Sequence, residues 1–223
     1  RDRSVSRGLG DVYKRQRIHN KKQSRLDSDE MKELLTDVIT GDALDDNKKP
    51  YARRSNMRDT AIIALLGGTG IRVSELVGID LNDIDWEHNC IRIIRKGGNE
   101  DIVYFGDELH RYLEDYINYE REPGDDKEKA LFVASRKDKG RLTVRSVERI
   151  VSKYGTATIP SKHLSPHSLR RTFGTNYYEE TSDLYAVADA LGHKNIQVTK
   201  DHYADISERK KQQVKEFSDK LLK

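Results

Sequence analysis

Apolar residues recur along most of this chain at helical spacing. Met31, Leu34, Leu35, Val38 and Ile39 lie on one face of an amphipathic helix. Asp27 with Glu30 forms a capping-box pattern before that helix, and Gly41 stops it. Residues 42–52 read as a polar loop closing around Pro50. A second helix is predicted through Arg58 to Leu66, with Ala61, Ile62, Leu65 and Leu66 inward and Gly67-Gly68-Thr69-Gly70 breaking it. Ile71 to Val77 reads as a short helix. Leu109, Leu113, Tyr116 and Ile117 mark another, and Thr143 caps one with Val144, Val147, Ile150 and Val151 inward. Ser165 suits an N-cap with Pro166 at the first helical position. Leu184, Val187, Ala188 and Leu191 line the next helix, with Gly192 just past its end. Ser207 to Lys223 completes the series, with Val214, Phe217 and Leu221 as one apolar stripe.

The period changes in two places. Cys90 to Arg95 is apolar and β-branched, Gly97-Gly98-Asn99 supplies a turn, and Asp101 to Phe105 returns, a hairpin with Lys96 at its tip. Ala130 to Ala134 reads as a short strand. The expected fold is mainly α with a small antiparallel β-sheet (α+β).

Composition narrows the setting. The chain has 223 residues, enough for one domain with a remainder. Hydrophobic residues are 35% of it, and their periodic clustering makes a core feasible. A formal net charge of +3 permits a nucleic-acid partner without demanding one. The single cysteine, Cys90, excludes an internal disulfide and fits a reducing, cytoplasmic setting. No apolar run approaches ~18 residues, so no membrane association is expected, and no apolar stretch marks a signal peptide. Residues 1–16 lack periodicity and read as a translated adapter or fusion scar, or else a disordered basic arm, with a basic, polar linker remnant continuing to about Arg25.

The chemistry concentrates between Ser165 and Tyr203. Arginine beside imidazole suits a site that holds an anion and moves protons on it. His167 and Arg170 are spaced i, i+3 on one helix face. Arg72 sits in an otherwise apolar segment, Thr69 to Leu76, where a buried guanidinium needs an anion or a carboxylate, and Glu75 lies one turn on. Bland readings stand beside these. His193 after Gly192 could cap a helix C-terminus. Tyr203 is one of eleven tyrosines, and Lys96 alone is an ordinary turn lysine. His163 and His167 have a spacing seen in zinc sites, but Pro166 between them argues against one ligand-bearing helix. Gly67-Gly68-Thr69-Gly70 is no phosphate-binding P-loop, because no Gly-Lys-Ser/Thr follows.

The joint arrangement carries more than any member. Arg72, Lys96, His167, Arg170, His193 and Tyr203, in that order, resemble the catalytic set of the tyrosine recombinase (phage-integrase) family. The first box is similar to Thr69-Gly70-Ile71-Arg72-Val73-Ser74-Glu75-Leu76, and the hairpin lysine to Arg95-Lys96-Gly97-Gly98. The second box is similar to Pro166-His167-Ser168-Leu169-Arg170-Arg171-Thr172-Phe173, and the third to Leu191-Gly192-His193 followed by Tyr203. Tyr203 lies ten residues after His193, where many members have nine.

The resemblance implies the integrase catalytic-domain fold over residues 26–206, a C-terminal interaction helix over 207–223, and a fragment lacking the core-binding domain that most members carry. It implies a 3′-phosphotyrosyl link from Tyr203 to double-stranded DNA. Arg72, Arg170 and His193 would stabilise phosphate charge, Lys96 would protonate the leaving oxygen, and His167 would assist proton transfer. It implies no cofactor and no metal, and a homo-oligomeric, tetrameric synapse on DNA, with the use of accessory DNA-bending proteins left open. Two other readings stay open: a type IB-like topoisomerase, which shares the chemistry, and a non-catalytic DNA-binding relative.

Overall fold

The computed structural model describes residues 25–52, 54–122, 129–134, 140–193, 195–197 and 199. Tyr203, the helix expected over 207–223 and most of the N-terminal segment lie outside the described residues. Asp27 caps α1 (Ser28–Thr40) as the capping box requires: its side chain accepts the backbone N–H groups of Asp29 and Glu30, and Glu30 accepts that of Asp27. Gly41 ends α1 in the left-handed region. The loop expected over 42–52 contains a short helix, α2 (Lys49–Ala52), since proline is compatible with a helix's first turn, where no backbone donor is needed.

The central element is α3 (Asn56–Thr69). Every residue from Arg58 to Leu66 is buried, and the helix packs against α1 and two later helices, α5 (Asp107–Asp115) and α7 (Pro166–Thr181). The break expected at Gly67 does not occur. The helix runs through Gly67 and Gly68 to Thr69 and turns at Gly70, whose φ is +66°. Two helical glycines cost about 1 kcal/mol each relative to alanine. Full burial of one leucine or isoleucine returns about 1.5–3 kcal/mol, so packing overrides the local preference.

After α3 come α4 (Val73–Gly78) and a short 3-10 turn, Leu81–Asp83. The antiparallel sheet has three strands, β1 (Ile84–Asp85), β2 (Cys90–Ile94) and β3 (Glu100–Tyr104), in that order. The hairpin is as expected, with Arg92 opposite Ile102. β1 is two residues long, too short for any alternation to announce it. α5 continues into a π-helical turn, Tyr116–Glu120. That turn brings the Glu120 carboxylate to the start of α3, where it accepts the N–H groups of Met57 (2.8 Å) and Arg58 (3.3 Å). Ser55 makes no such cap.

The strand expected over Ala130 to Ala134 is instead two single bridges, Asp80 with Ala130 and Val133 with Arg141. The segment changes partner midway, so neither pairing propagates, although Ala130, Leu131, Phe132 and Val133 are all buried. α6 (Val144–Thr158), α7 and α8 (Leu184–Ala190) complete the domain. Tyr178, Val187 and Leu191 form a satellite core between α7 and α8. Among the described residues no helix is long and apolar enough to cross a membrane.

Candidate active site

Four chain segments meet at one cavity of 630 Å³: the start of α4, the β2–β3 turn, the end of α8 and the turn after it. Arg72, Lys96 and His193 line it together, beside Arg95, Asp101 and Asp189. Three of the six residues singled out from the sequence therefore share one wall.

Arg72 is the N-cap of α4, and Glu75 stands three residues on. The Glu75 carboxylate, 4% exposed, accepts the Arg72 backbone N–H at 2.7 Å and its guanidinium Nη1 at 2.7 Å. This is the carboxylate partner that a buried arginine in an apolar segment demands. The same carboxylate accepts Arg95 Nη1 at 3.1 Å.

Arg170 lies outside the cavity wall but ties its parts. It is buried on α7, where Ser165 caps the first turn by accepting the Ser168 N–H, with Pro166 first in the helix. Its Nη1 donates to the Gly70 carbonyl and its Nη2 to the Leu191 carbonyl, both at 2.5 Å. Those carbonyls stand two residues before Arg72 and two before His193, so one guanidinium joins both motifs. Gly70 permits the approach: its φ is positive, and a Cβ there would lie 2.4 Å from Phe173 of α7.

His193 is half-buried. Its backbone N–H donates to the Ala188 carbonyl and its Nδ1 is 2.8 Å from the Thr199 hydroxyl. Thr199 is fully buried, so the ring is held by more than the helix-end contact considered above. His167 is exposed at the second position of α7 and is not among the residues lining the cavity, although it is three positions from buried Arg170. Tyr203 lies outside the described residues. Among the described residues no group of three or more His, Cys, Asp or Glu side chains is placed to hold a metal ion.

Arg95 was not singled out by residue type, yet it is 8% exposed at the centre of this arrangement. The signal was present in the strand: Ile91, Ile93 and Arg95 alternate inward, whereas Arg92 and Ile94 face out. Thr199 and Asp101 had no comparable signature.

Comparison with known proteins gives these positions a context. Residues 24–210 match the phage integrase family. The chain belongs to that family. The tyrosine recombinase XerC of Corynebacterium glutamicum is 37% identical over 189 residues, covering 80% of this chain and 60% of that protein. XerC of Vibrio cholerae is 36% identical over 174 residues, covering 78% and 51%. The chain thus spans little more than half the length of these relatives. Among solved structures, the XerA recombinase superposes with a TM-score of 0.67 at 27% identity, over 80% of this chain and 59% of that one. XerH bound to its palindromic difH substrate, a post-cleavage complex, superposes with a TM-score of 0.70 at 22% identity, over 89% and 54%. The helical domain with its small antiparallel sheet is the tyrosine recombinase fold.

Proposed function

We propose that this chain is the catalytic part of a site-specific recombinase that cuts and rejoins double-stranded DNA through a 3′-phosphotyrosyl intermediate. The observation that carries the reading is the single cavity receiving Arg72, Lys96 and His193, with Arg170 bonded to the backbone beside two of them. A pentacovalent phosphorus transition state spreads negative charge over non-bridging oxygens. Arg72, Arg170 and His193 supply donors for that charge from a prearranged scaffold. Tyr203 attacks the phosphorus, and the P–O5′ bond breaks. His167 assists proton transfer from the tyrosine, and Lys96 protonates the departing 5′-oxygen. The phosphotyrosyl bond keeps the energy of the phosphodiester, so a second 5′-hydroxyl can reverse the step without a nucleotide cofactor.

The relatives carry the wider reading. XerH and a lambda integrase are seen on DNA, and double-stranded DNA is the partner we assign here. Strand exchange requires coordinated cleavages, which implies a tetramer of such chains on DNA in the cytoplasm. We read residues 26–206 as the catalytic domain; Arg25, just before it, pairs with Glu179 of α7 at 2.9 Å. The apolar stripe Val214, Phe217 and Leu221 within 207–223 would dock on a neighbouring protomer.

The test is covalent trapping. A randomised pool of nicked duplexes, in which cleavage releases a short strand, is incubated with the chain and resolved under denaturing conditions. A protein–DNA adduct is expected. DNA binding without an adduct would favour a non-catalytic relative. Plasmid relaxation without recombinant products would favour a type IB-like topoisomerase.

A further inference from the structure

Arg95 precedes Lys96 at the base of the hairpin, and all three guanidinium nitrogens are used. Nε donates to Asp101 of β3 at 2.8 Å, Nη1 to Glu75 of α4 at 3.1 Å, and Nη2 to the carbonyl of Ala190 at the end of α8 at 3.2 Å. The side chain thus joins the hairpin to the carboxylate that holds Arg72 and to the helix end leading into His193. Gly192 is shaped around it. The residue has φ +59°, and a Cβ there would stand 2.8 Å from Arg95 Nε and 2.9 Å from Cζ. The Lys96 turn also closes on Arg95: its N–H donates to the Asn99 carbonyl at 2.7 Å, and its carbonyl accepts the Gly98 N–H at 3.0 Å. Lys96 is exposed at the tip of this clamped turn.

We propose that Arg95 is a positioning residue for leaving-group protonation: it holds the Lys96 turn against the Arg72 and His193 wall. This rests on the recombinase reading and on the general-acid role assigned to Lys96. Arginine suits the task because its planar fork reaches three partners at fixed angles, which an ammonium on a flexible stem cannot do. Loss of the guanidinium leaves Arg72 with both of its bonds to Glu75 and His193 with Thr199. What disappears is the charged link from the hairpin base to α4 and α8. The group displaced is therefore Lys96, and the step affected is proton transfer to O5′.

The experiment separates that step from the rest. A nicked duplex is first selected, from a randomised pool, as one to which the unaltered chain links covalently. It is then made with oxygen or with sulfur at the scissile 5′ bridge. With oxygen, Tyr203 forms the new P–O bond, P–O5′ breaks, and O5′ takes a proton from Lys96. With sulfur, P–S breaks and the thiolate departs without a proton. Arg95→Met should slow cleavage of the oxygen substrate on the order of 100-fold, the scale of a ~1 Å misplacement, and the sulfur substrate by no more than about threefold. Arg95→Lys, which can reach one carboxylate, should fall between Arg95→Met and the unaltered chain. If Arg95→Met does not fold, Asp101→Asn carries the test, because it loosens only the hairpin side and keeps the Glu75–Arg95 pair. The same preferential rescue by sulfur is expected. Equal slowing on both substrates would place Arg95 in charge stabilisation through Arg72 and overturn the proposal. So would unimpaired cleavage of the oxygen substrate. Failure of the unaltered chain to link to any duplex would instead remove the recombinase reading, and this inference with it.

Discussion

Two carboxylates in this domain are each buried between two cations. Asp59 on α3, 1% exposed, holds Arg58 at 2.9 Å and Lys153 of α6 at 3.0 Å. Glu75 on α4, 4% exposed, holds Arg72 at 2.7 Å and Arg95 at 3.1 Å. The residue types nearly match, but the surroundings do not. At Asp59 both cations find partners within the protein: Arg58 Nη1 donates to the Val133 carbonyl, and Lys153, though 30% exposed, lies 3.9 Å from the centre of the Tyr154 ring. Burial, with the Asp59 carboxylate beside it, pushes the Tyr154 hydroxyl above its ordinary range. At Glu75 one cation, Arg72, is exposed to the same degree as Lys153 but faces a cavity that Lys96 and His193 share. One cluster ties helices together, and the other presents donors to an anion. The difference shows that burial and pairing alone do not mark a functional arginine. The convergence of Lys96 and His193, from other parts of the chain, on the same cavity does.

Removing the carboxylate of the closed cluster should have the largest effect. Asp59→Ala leaves buried Arg58 and half-buried Lys153 without their shared carboxylate, and should cost about 3–5 kcal/mol of folding stability, read from denaturant unfolding. An Asp59→Ala protein of near-normal stability would erase the distinction drawn here. The next largest effect belongs to the open cluster. Arg72→Ala should reduce covalent cleavage by about 10²–10³-fold. The unfolding midpoint should barely move, since Glu75 keeps Arg95 as a partner. A large loss of stability in Arg72→Ala would make both clusters structural.

The contrast also explains what was legible in the sequence. Periodicity located α1, α6 and the hairpin, because each has one apolar face and a recognisable cap or turn; Ser165 and Pro166 alone marked the start of α7, whose buried face is mostly small or polar. It misjudged the end of α3, where the burial of every residue from Arg58 to Leu66 carries the helix on through half-buried Gly67 and exposed Gly68. It over-read Ala130 to Ala134, whose apolar run reflects burial between non-strand segments. Arg72, Lys96, Arg170 and His193 could be singled out by their motifs, but only the fold shows Arg170 bonded to backbone on both sides of the site. Carrying the alternation of β2 one residue further places Arg95 among buried positions. Its partners, Glu75, Asp101 and the Ala190 carbonyl, are too distant in the chain for spacing to pair them with it.

The smallest effect sharpens the comparison at the scaffold end. Burial raises the Glu120 carboxyl above its ordinary value, more than the Met57 and Arg58 N–H groups lower it. A carboxyl whose pKa is raised on folding binds more protons in the native state. Its contribution is present below the ordinary carboxylate pKa and is lost as pH rises through the raised value. Stability of the unaltered chain should therefore fall across that window. Glu120→Gln, which keeps an acceptor for the two N–H groups, should show a flatter profile by urea unfolding at a series of pH values. Identical pH slopes in the two proteins would show that Glu120 is not desolvated enough to matter.

The central claim is that the cavity serves a tyrosine nucleophile, and one measurement addresses it directly. The DNA-linked protein from the nicked-duplex trap is digested, and the peptide carrying the nucleotide remnant is sequenced by mass spectrometry. The account predicts the modification on Tyr203, with no adduct formed by Tyr203→Phe although DNA binding persists. Attachment at His202 or at any other tyrosine, or an adduct that survives Tyr203→Phe, would contradict it.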